Sequence, residues 1–226
     1  SKSNLNIPNL KETVEKAGIF IAENQHPTGG WAYSYDMDAK GHHDSSVTCW
    51  QLQALKACKY TGLDSLSKLD TVARKGLSYL ESCQNKEGGV AYKPGGKGNP
   101  TMTGGSVLCH QQWGKGSRST VRKGRKYIEN KVTFGYDTAE SDLYGHYYNG
   151  QAMINFGGST WKDYNLLFRD GVLNAQNADG SFKAPGGGNK INGVGTTYVK
   201  NVHYRTCLAT LMLEVYYRFL PGSSSH

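Results

Sequence analysis

At 226 residues and 24.8 kDa the chain has room for one ordinary domain or two very small ones, and 37% hydrophobic content with 29 glycines is too apolar for general disorder. The net charge of +8 favours acidic partners without naming one, and no stretch approaches the ~18 uncharged apolar residues of a membrane span. Five cysteines, none in a Cys-x-x-Cys pair and odd in number, exclude a fully paired disulfide framework and point only weakly to a reducing compartment.

The first twenty residues lack the basic-then-apolar design of a secretory signal. They read instead as an amphipathic helix over 9–24, with Leu10, Val14, Ala17, Phe20 and Ile21 on one stripe. Gln25 and Gly29-Gly30-Trp31 follow, so Lys16-Ala17-x-x-Phe20-Ile21-x-x-x-Gln25 ends in a glycine turn. The next segment, Asp36-Met37-Asp38-Ala39 with Lys40, Gly41, His42 and His43, reads as a wet loop. A second helix, 44–61, is apolar or small on most sides (Ser46 to Leu55), the mark of a helix buried on most sides.

A third helix, 66–83, repeats the first pattern: Lys75-Gly76-x-x-Tyr79-Leu80-x-x-x-Gln84, then Gly88-Gly89-Val90. The helix 102–113 is again apolar around, with Cys109 and His110. Over 118–131 comes Lys123-Gly124-x-x-Tyr127-Ile128, with Val132 where the Gln should stand. This region is basic, from Lys115 to Lys131 with only Glu129 opposing. Because Tyr127 is its single aromatic, it reads as a solvated helix face or an anion-docking surface rather than a specific nucleic-acid site. Helices 142–157 and 160–176 follow. The latter keeps Gln176 and Gly180-Ser181-Phe182 but loses the Lys-Gly start, and 203–219 closes the set. The Gln positions lie 59, 48 and 44 residues apart, the interval of a two-helix repeat.

Striped and apolar helices alternate, which predicts an all-α fold of about eight main helices in two concentric layers, an α/α toroid or an arc of one, over 1–226 as a single domain. The Gln at each helix end is expected to bond last-turn carbonyls or neighbouring backbone, while the glycines supply the positive φ that stops the helix.

The motif Lys-(Ala/Gly)-x-x-aromatic-aliphatic-x-x-x-Gln with Gly-Gly-Trp resembles the QW motif of the prenyltransferase and squalene-cyclase repeat superfamily. The match at 16–31 is specific, that at 75–90 has Val90 for Trp, and the other two are degenerate. The ending Glu214-Val215-Tyr216-Tyr217-Arg218-Phe219-Leu220-Pro221 is similar to that of bacterial repeat proteins of unassigned activity. The resemblance implies an α6/α6-type ring of six hairpins, of which four are counted here: a reduced ring, an open arc, or a piece of a longer protein. Members include triterpene cyclases, protein prenyltransferase β subunits and complement-type thioester domains, so fold does not settle function.

Their chemistry can be tested residue by residue. Asp36-Met37-Asp38-Ala39 lacks the last aspartate of the cyclase Asp-x-Asp-Asp, and as a calcium loop it fails at Lys40 and Val47. The Cys-Gly-Glu-Gln of thioester domains is absent, as are a Gly-x-Ser-x-Gly elbow and a phosphate loop. Zinc of the prenyltransferase kind would need thiolate and imidazole ligands. Cys49, Cys109 and Cys207 follow their Gln by 24, 25 and 31 residues, and His110 adjoins Cys109. Small buried packing residues explain the same cysteines.

What remains is a candidate pocket mouth where the inner helices start: His43, Asp44, Asp142, Tyr144, His146, Tyr147, Tyr148, His203 and Tyr204. Asp44 and Asp142 also suit helix N-caps, and the aromatics suit inner-layer filling. Two functions follow. One is a non-catalytic module binding an apolar small molecule or a peptide or protein partner; the other is a terpene cyclase or prenyltransferase-type enzyme acting on an isoprenoid, with or without zinc.

Overall fold

A computed structural model describes residues 7–34, 43–188 and 200–218. The described residues are all-α: α1 (Leu10–Glu23), α2 (Ser45–Lys59), α3 (Leu69–Ser82), α4 (Pro100–Gln112), α5 (Ser119–Lys131), α6 (Leu143–Ile154), α7 (Gly158–Leu173), α8 (Val202–Leu213) and the short α9 (Val215–Arg218). Extended structure among them is confined to isolated bridges such as Gln84 with Val90 and Gln176 with Phe182. Each expected helix is present. The one read over 66–83 is preceded by a separate 3-10 turn, Asp64–Leu66, and the one read over 203–219 breaks at Glu214.

Three of the helices that are apolar around start on a side-chain cap; α6 does not, since Asp142, expected as its N-cap, makes no side-chain cap bond. Asp44 accepts from the N–H groups of Ser46 (2.7 Å) and Val47 (3.3 Å) at α2. Asn99 does the same for Thr101 (2.8 Å) and Met102 (3.3 Å) at α4, with Pro100 in the first position, and Asn201 accepts from Tyr204 N–H (3.0 Å) at α8. The helices α1, α3, α5 and α7 have no side-chain cap and rely on packing of one face.

Burial sorts the same classes. Every residue of Thr101–His110 in α4 and Gly145–Met153 in α6 is buried. Helix α4 packs on α2, α3, α5 and α6, while α6 packs on α4, α7 and α8, so α2, α4, α6 and α8 form an inner row flanked by α1, α3, α5 and α7. Helix α4 is shared by two apolar clusters. Met102, Cys109 and Trp113 belong with α2 and α3; Val107 and Leu108 belong with α5 to α8. Two mid-helix glycines weaken α4 by ~1 kcal/mol each relative to alanine. They let its neighbours in: a Cβ on Gly104 would lie 2.1 Å from Asn149 Oδ1 of α6, and one on Gly105 would lie 3.1 Å from Cys49 Sγ of α2.

The Gln turns are alike in geometry, and of the two expected partners they take neighbouring backbone and not the carbonyls of their own last turn. Gln25 Nε2–H donates to Gly29 O (2.9 Å) of its own turn and to Val72 O (2.9 Å) in α3. Gln84 Nε2–H donates to Gly88 O (2.9 Å) and Thr120 O (2.9 Å) in α5. The side chain thus ties the turn to the next outer helix instead of capping its own. Nor do the glycines stop the helices, which end at Asn24 and Cys83. Gly29 and Gly88, at φ 95° and 96°, shape the turn that follows.

The residue four past each N-cap anchors the strand leaving the turn. Thr48 Oγ1 accepts from Trp31 N–H (3.1 Å), Thr103 Oγ1 from Val90 N–H (2.8 Å), and Arg205 Nε–H donates to Phe182 O (2.7 Å). In the third repeat this position is His146.

Candidate functional site

The N-terminal ends of the inner helices carry an aromatic face. Trp50 Nε1–H of α2 donates to Tyr144 Oη of α6 (3.0 Å), linking the two helices that flank α4. The Tyr144 hydroxyl lies 3.5 Å from that of Tyr148. Tyr148 meets Trp50, Tyr144 and Tyr147 edge-on, with centroids 5.8, 5.1 and 5.2 Å away. Trp50, Tyr92 and Tyr33 remain 48%, 46% and 85% exposed, which leaves ring surface open to a ligand. Burial raises the Tyr92 phenol above its usual range, and the charges of Asp44, Asp142, Tyr144 and Tyr33 add to the shift. Asp44 is committed to its cap and to the Ser46 hydroxyl (2.5 Å).

Beside this face opens a cleft of about 210 Å³. Asn99, Pro100 and Thr101 come from the start of α4, Lys131, Val132 and Thr133 from the end of α5, and Ala139, Glu140, Asp142, Gly145, His146 and Asn149 from the link and α6. It lies where the third repeat lacks the Gln and Gly-Gly turn, so His146 lines open space where Thr48 and Thr103 hold a turn. Burial raises the Asp142 carboxyl, against the pull of the Gly145 amide, the Thr101 hydroxyl and the Tyr144 amide. Thr101 Oγ1–H donates to Asp142 Oδ2 (2.9 Å), while Oδ1 is buried with no partner. One turn along, burial lowers His146 to about 4, offset in part by the carbonyls of Glu140 and Thr133; its Nδ1 meets Tyr164 Oη at 2.7 Å. An imidazole held neutral by burial and a carboxyl raised by burial therefore share one cleft.

The other expected residues are dispersed. His43 stacks on His26 (3.7 Å between centroids) and its carbonyl accepts from Tyr79 Oη–H (2.5 Å), on the α3 side. Tyr147 is core. His203 is exposed on the first turn of α8, and Tyr204 packs against the apolar cluster there.

The four metal candidates are not brought together. Cys109 Sγ–H points to Cys49 O (3.5 Å), and the Cys49 thiol is pushed well up, first by its hydrogen bond with Cys109 and then by burial. His110 turns to α3 instead, with Nδ1 at Ser106 O (2.8 Å) and Nε2 at Glu81 Oε1 (3.3 Å), while Cys207 is exposed. Counting from the Gln misled the register because the loops differ in length. The cysteines lie five, ten and six residues past their N-caps Asp44, Asn99 and Asn201. Among the described residues no group of three or more His, Cys, Asp or Glu is placed to hold a metal ion, and no helix is long and apolar enough to cross a membrane.

The loop Asp36-Met37-Asp38-Ala39 lies outside the described residues. Sequence reasoning missed Trp50, Tyr92, Tyr33, Thr101, Glu140 and Asn149. Only the Val132 gap in the repeat signalled the cleft. No family model matches the chain, and no curated protein matches it.

Proposed function

We propose that this chain is a reduced α/α-toroid domain of the prenyltransferase and squalene-cyclase repeat type that binds an apolar ligand without transforming it. The observation that carries the reading is the open ring surface of Trp50, held against Tyr144 and Tyr148, with exposed Tyr92 joined through its carbonyl to the Ser45 N–H where α2 begins. Two rows of alternating helices tied by equivalent Gln turns support the arc, since each repeat places its neighbour in the same way. At ~25 cal/mol per Å², a ligand covering roughly 200 Å² of these rings gains about 5 kcal/mol before ordering costs. Micromolar binding, at about 8 kcal/mol, calls for more covered surface or a polar group reaching the cleft.

Trp50 is the reporter, because Trp31 and Trp113 are buried and half-buried Trp161 packs on Phe168 and Tyr216, so the shift should vanish in Trp50→Phe. Titration with farnesol as an apolar probe is expected to shift its emission saturably, and Tyr144→Ala to weaken binding at least tenfold. A titration without saturation, or one indifferent to Tyr144, defeats the proposal.

A second reading, an enzyme on an isoprenoid chain, rests on Asp142 and His146. A desolvated carboxyl and an imidazole held neutral by burial give one cleft a candidate proton donor and a candidate acceptor. Its mark is a new product from an isoprenoid diphosphate, lost in Asp142→Asn.

A further inference from the structure

Seven of the chain's 26 lysines and arginines lie between Lys115 and Lys131, with one of its 18 Asp and Glu, Glu129, among them. That segment holds +6 of the net +8, so the rest of the chain carries only +2. The structure turns most of this charge outward. Lys115, Arg118, Arg122, Lys123, Lys126 and Lys131 are exposed, whereas Arg125 lies over the Phe156 ring (5.5 Å to its centroid) and pairs with Glu129 (3.6 Å).

The arrangement works against the helix that carries it. Arg118, Arg122 and Lys126 stand at four-residue intervals, where like charges repel, and cations at the start of α5 oppose the positive end of its dipole. The first turns of α1 and α3 hold Glu12 and Asp70; that of α5 has no acidic residue, and its N-cap Arg118 makes no side-chain cap bond. A face that needed only to be wet could alternate its signs, as α7 does with Lys162-Asp163 and Arg169-Asp170.

We propose that the solvent face of α5 docks an extended acidic segment of a partner protein. Glu81 already makes such a contact at one end, where its carboxylate accepts from Arg118 at 2.5 Å. Arg122 and Lys126 continue the row in steps of ~6 Å along the axis. Alternate side chains of an extended chain lie ~6.6 Å apart, so carboxylates at every second residue meet successive cations. Two other anionic partners fit less well. Every exposed side chain of α5 is polar, so none enters the apolar part of a bilayer. The single ring of the segment, Tyr127, is buried with its hydroxyl on Gly98 O (2.9 Å), so none is offered for stacking on bases. None of the aromatic residues assigned to the apolar ligand takes part.

Fluorescence anisotropy of a labelled peptide of alternating Glu and Ser, titrated with the full chain at low ionic strength, tests this. Saturable binding is expected, weakening as salt rises. Arg122→Glu with Lys126→Glu is expected to weaken it at least tenfold. Arg122→Ala with Lys126→Ala, which removes charge and favours the helix, should weaken it in the same direction, and thermal melts by circular dichroism check that both variants stay folded. The same charge change on exposed α3 positions, Lys68→Glu with Arg74→Glu, should leave affinity within about threefold, because salt screens distant charges. No saturable binding, no weakening by the folded α5 variants, or equal weakening by the α3 pair would each overturn the proposal. So would α5-dependent binding of a DNA duplex or of phosphatidylserine vesicles that is tighter than binding of the peptide.

Discussion

Replacing each motif glutamine with leucine separates its role in the repeat from its identity. Gln84 makes three bonds: Nε2–H to Gly88 O and Thr120 O, both 2.9 Å, and Oε1 from the Thr120 hydroxyl at 2.8 Å. Leucine keeps most of the volume and strands all three partners in a part-buried site. With ~1 kcal/mol net per hydrogen bond and ~1–3 for a buried group left unmade, Gln84→Leu should cost about 2–4 kcal/mol. Gln25, with two bonds, should cost about 2 kcal/mol, and exposed Gln176, with one longer bond, under ~1 kcal/mol. Urea unfolding with a shared m value measures the series, and at ~2–4 °C per kcal/mol the Gln84 variant should melt roughly 4–16 °C lower. Equal losses at all three positions, or the largest loss at Gln176, would refute the turn-to-next-helix account.

Lowering the pH should weaken the fold through His146. Its native value of about 4 lies below the ordinary 6.5, so the unfolded chain takes the proton first; the contribution is whole above about 6.5 and lost as pH falls through 4. That shift corresponds to roughly 3 kcal/mol. Asp142, shifted up, works in the opposite direction, so the check is the pH slope of wild type against His146→Gln, which should be flatter. Gly104→Ala should cost more than ~3 kcal/mol in denaturant unfolding, because its Cβ would sit 2.1 Å from Asn149 Oδ1 and 3.0 Å from Asn149 backbone N; Gly105→Ala, 3.1 Å from the softer Cys49 sulfur, should cost less. Ellman's reagent should label Cys207 quickly and the four buried cysteines only on unfolding; rapid labelling of Cys49 or Cys109 would contradict their burial.

The amino-acid sequence by itself determined the helices and their sorting into two classes, because amphipathic stripes, N-cap residues and repeated Gln-Gly-Gly turns act within a few residues of one another. It also marked the third repeat as incomplete at Val132. Only the tertiary structure decided which residues meet. Trp50 and Tyr144 are 94 positions apart and come together because Gly104 and Gly105 let α2 and α6 close on α4. Cys109 and His110 are adjacent in the chain and meet different helices, α2 and α3, because neighbours along a helix lie on different faces. The cleft at Asp142 and His146 belongs to the same class. It is the space left by a missing turn, and its size and lining depend on how the flanking helices pack, which local pattern does not encode.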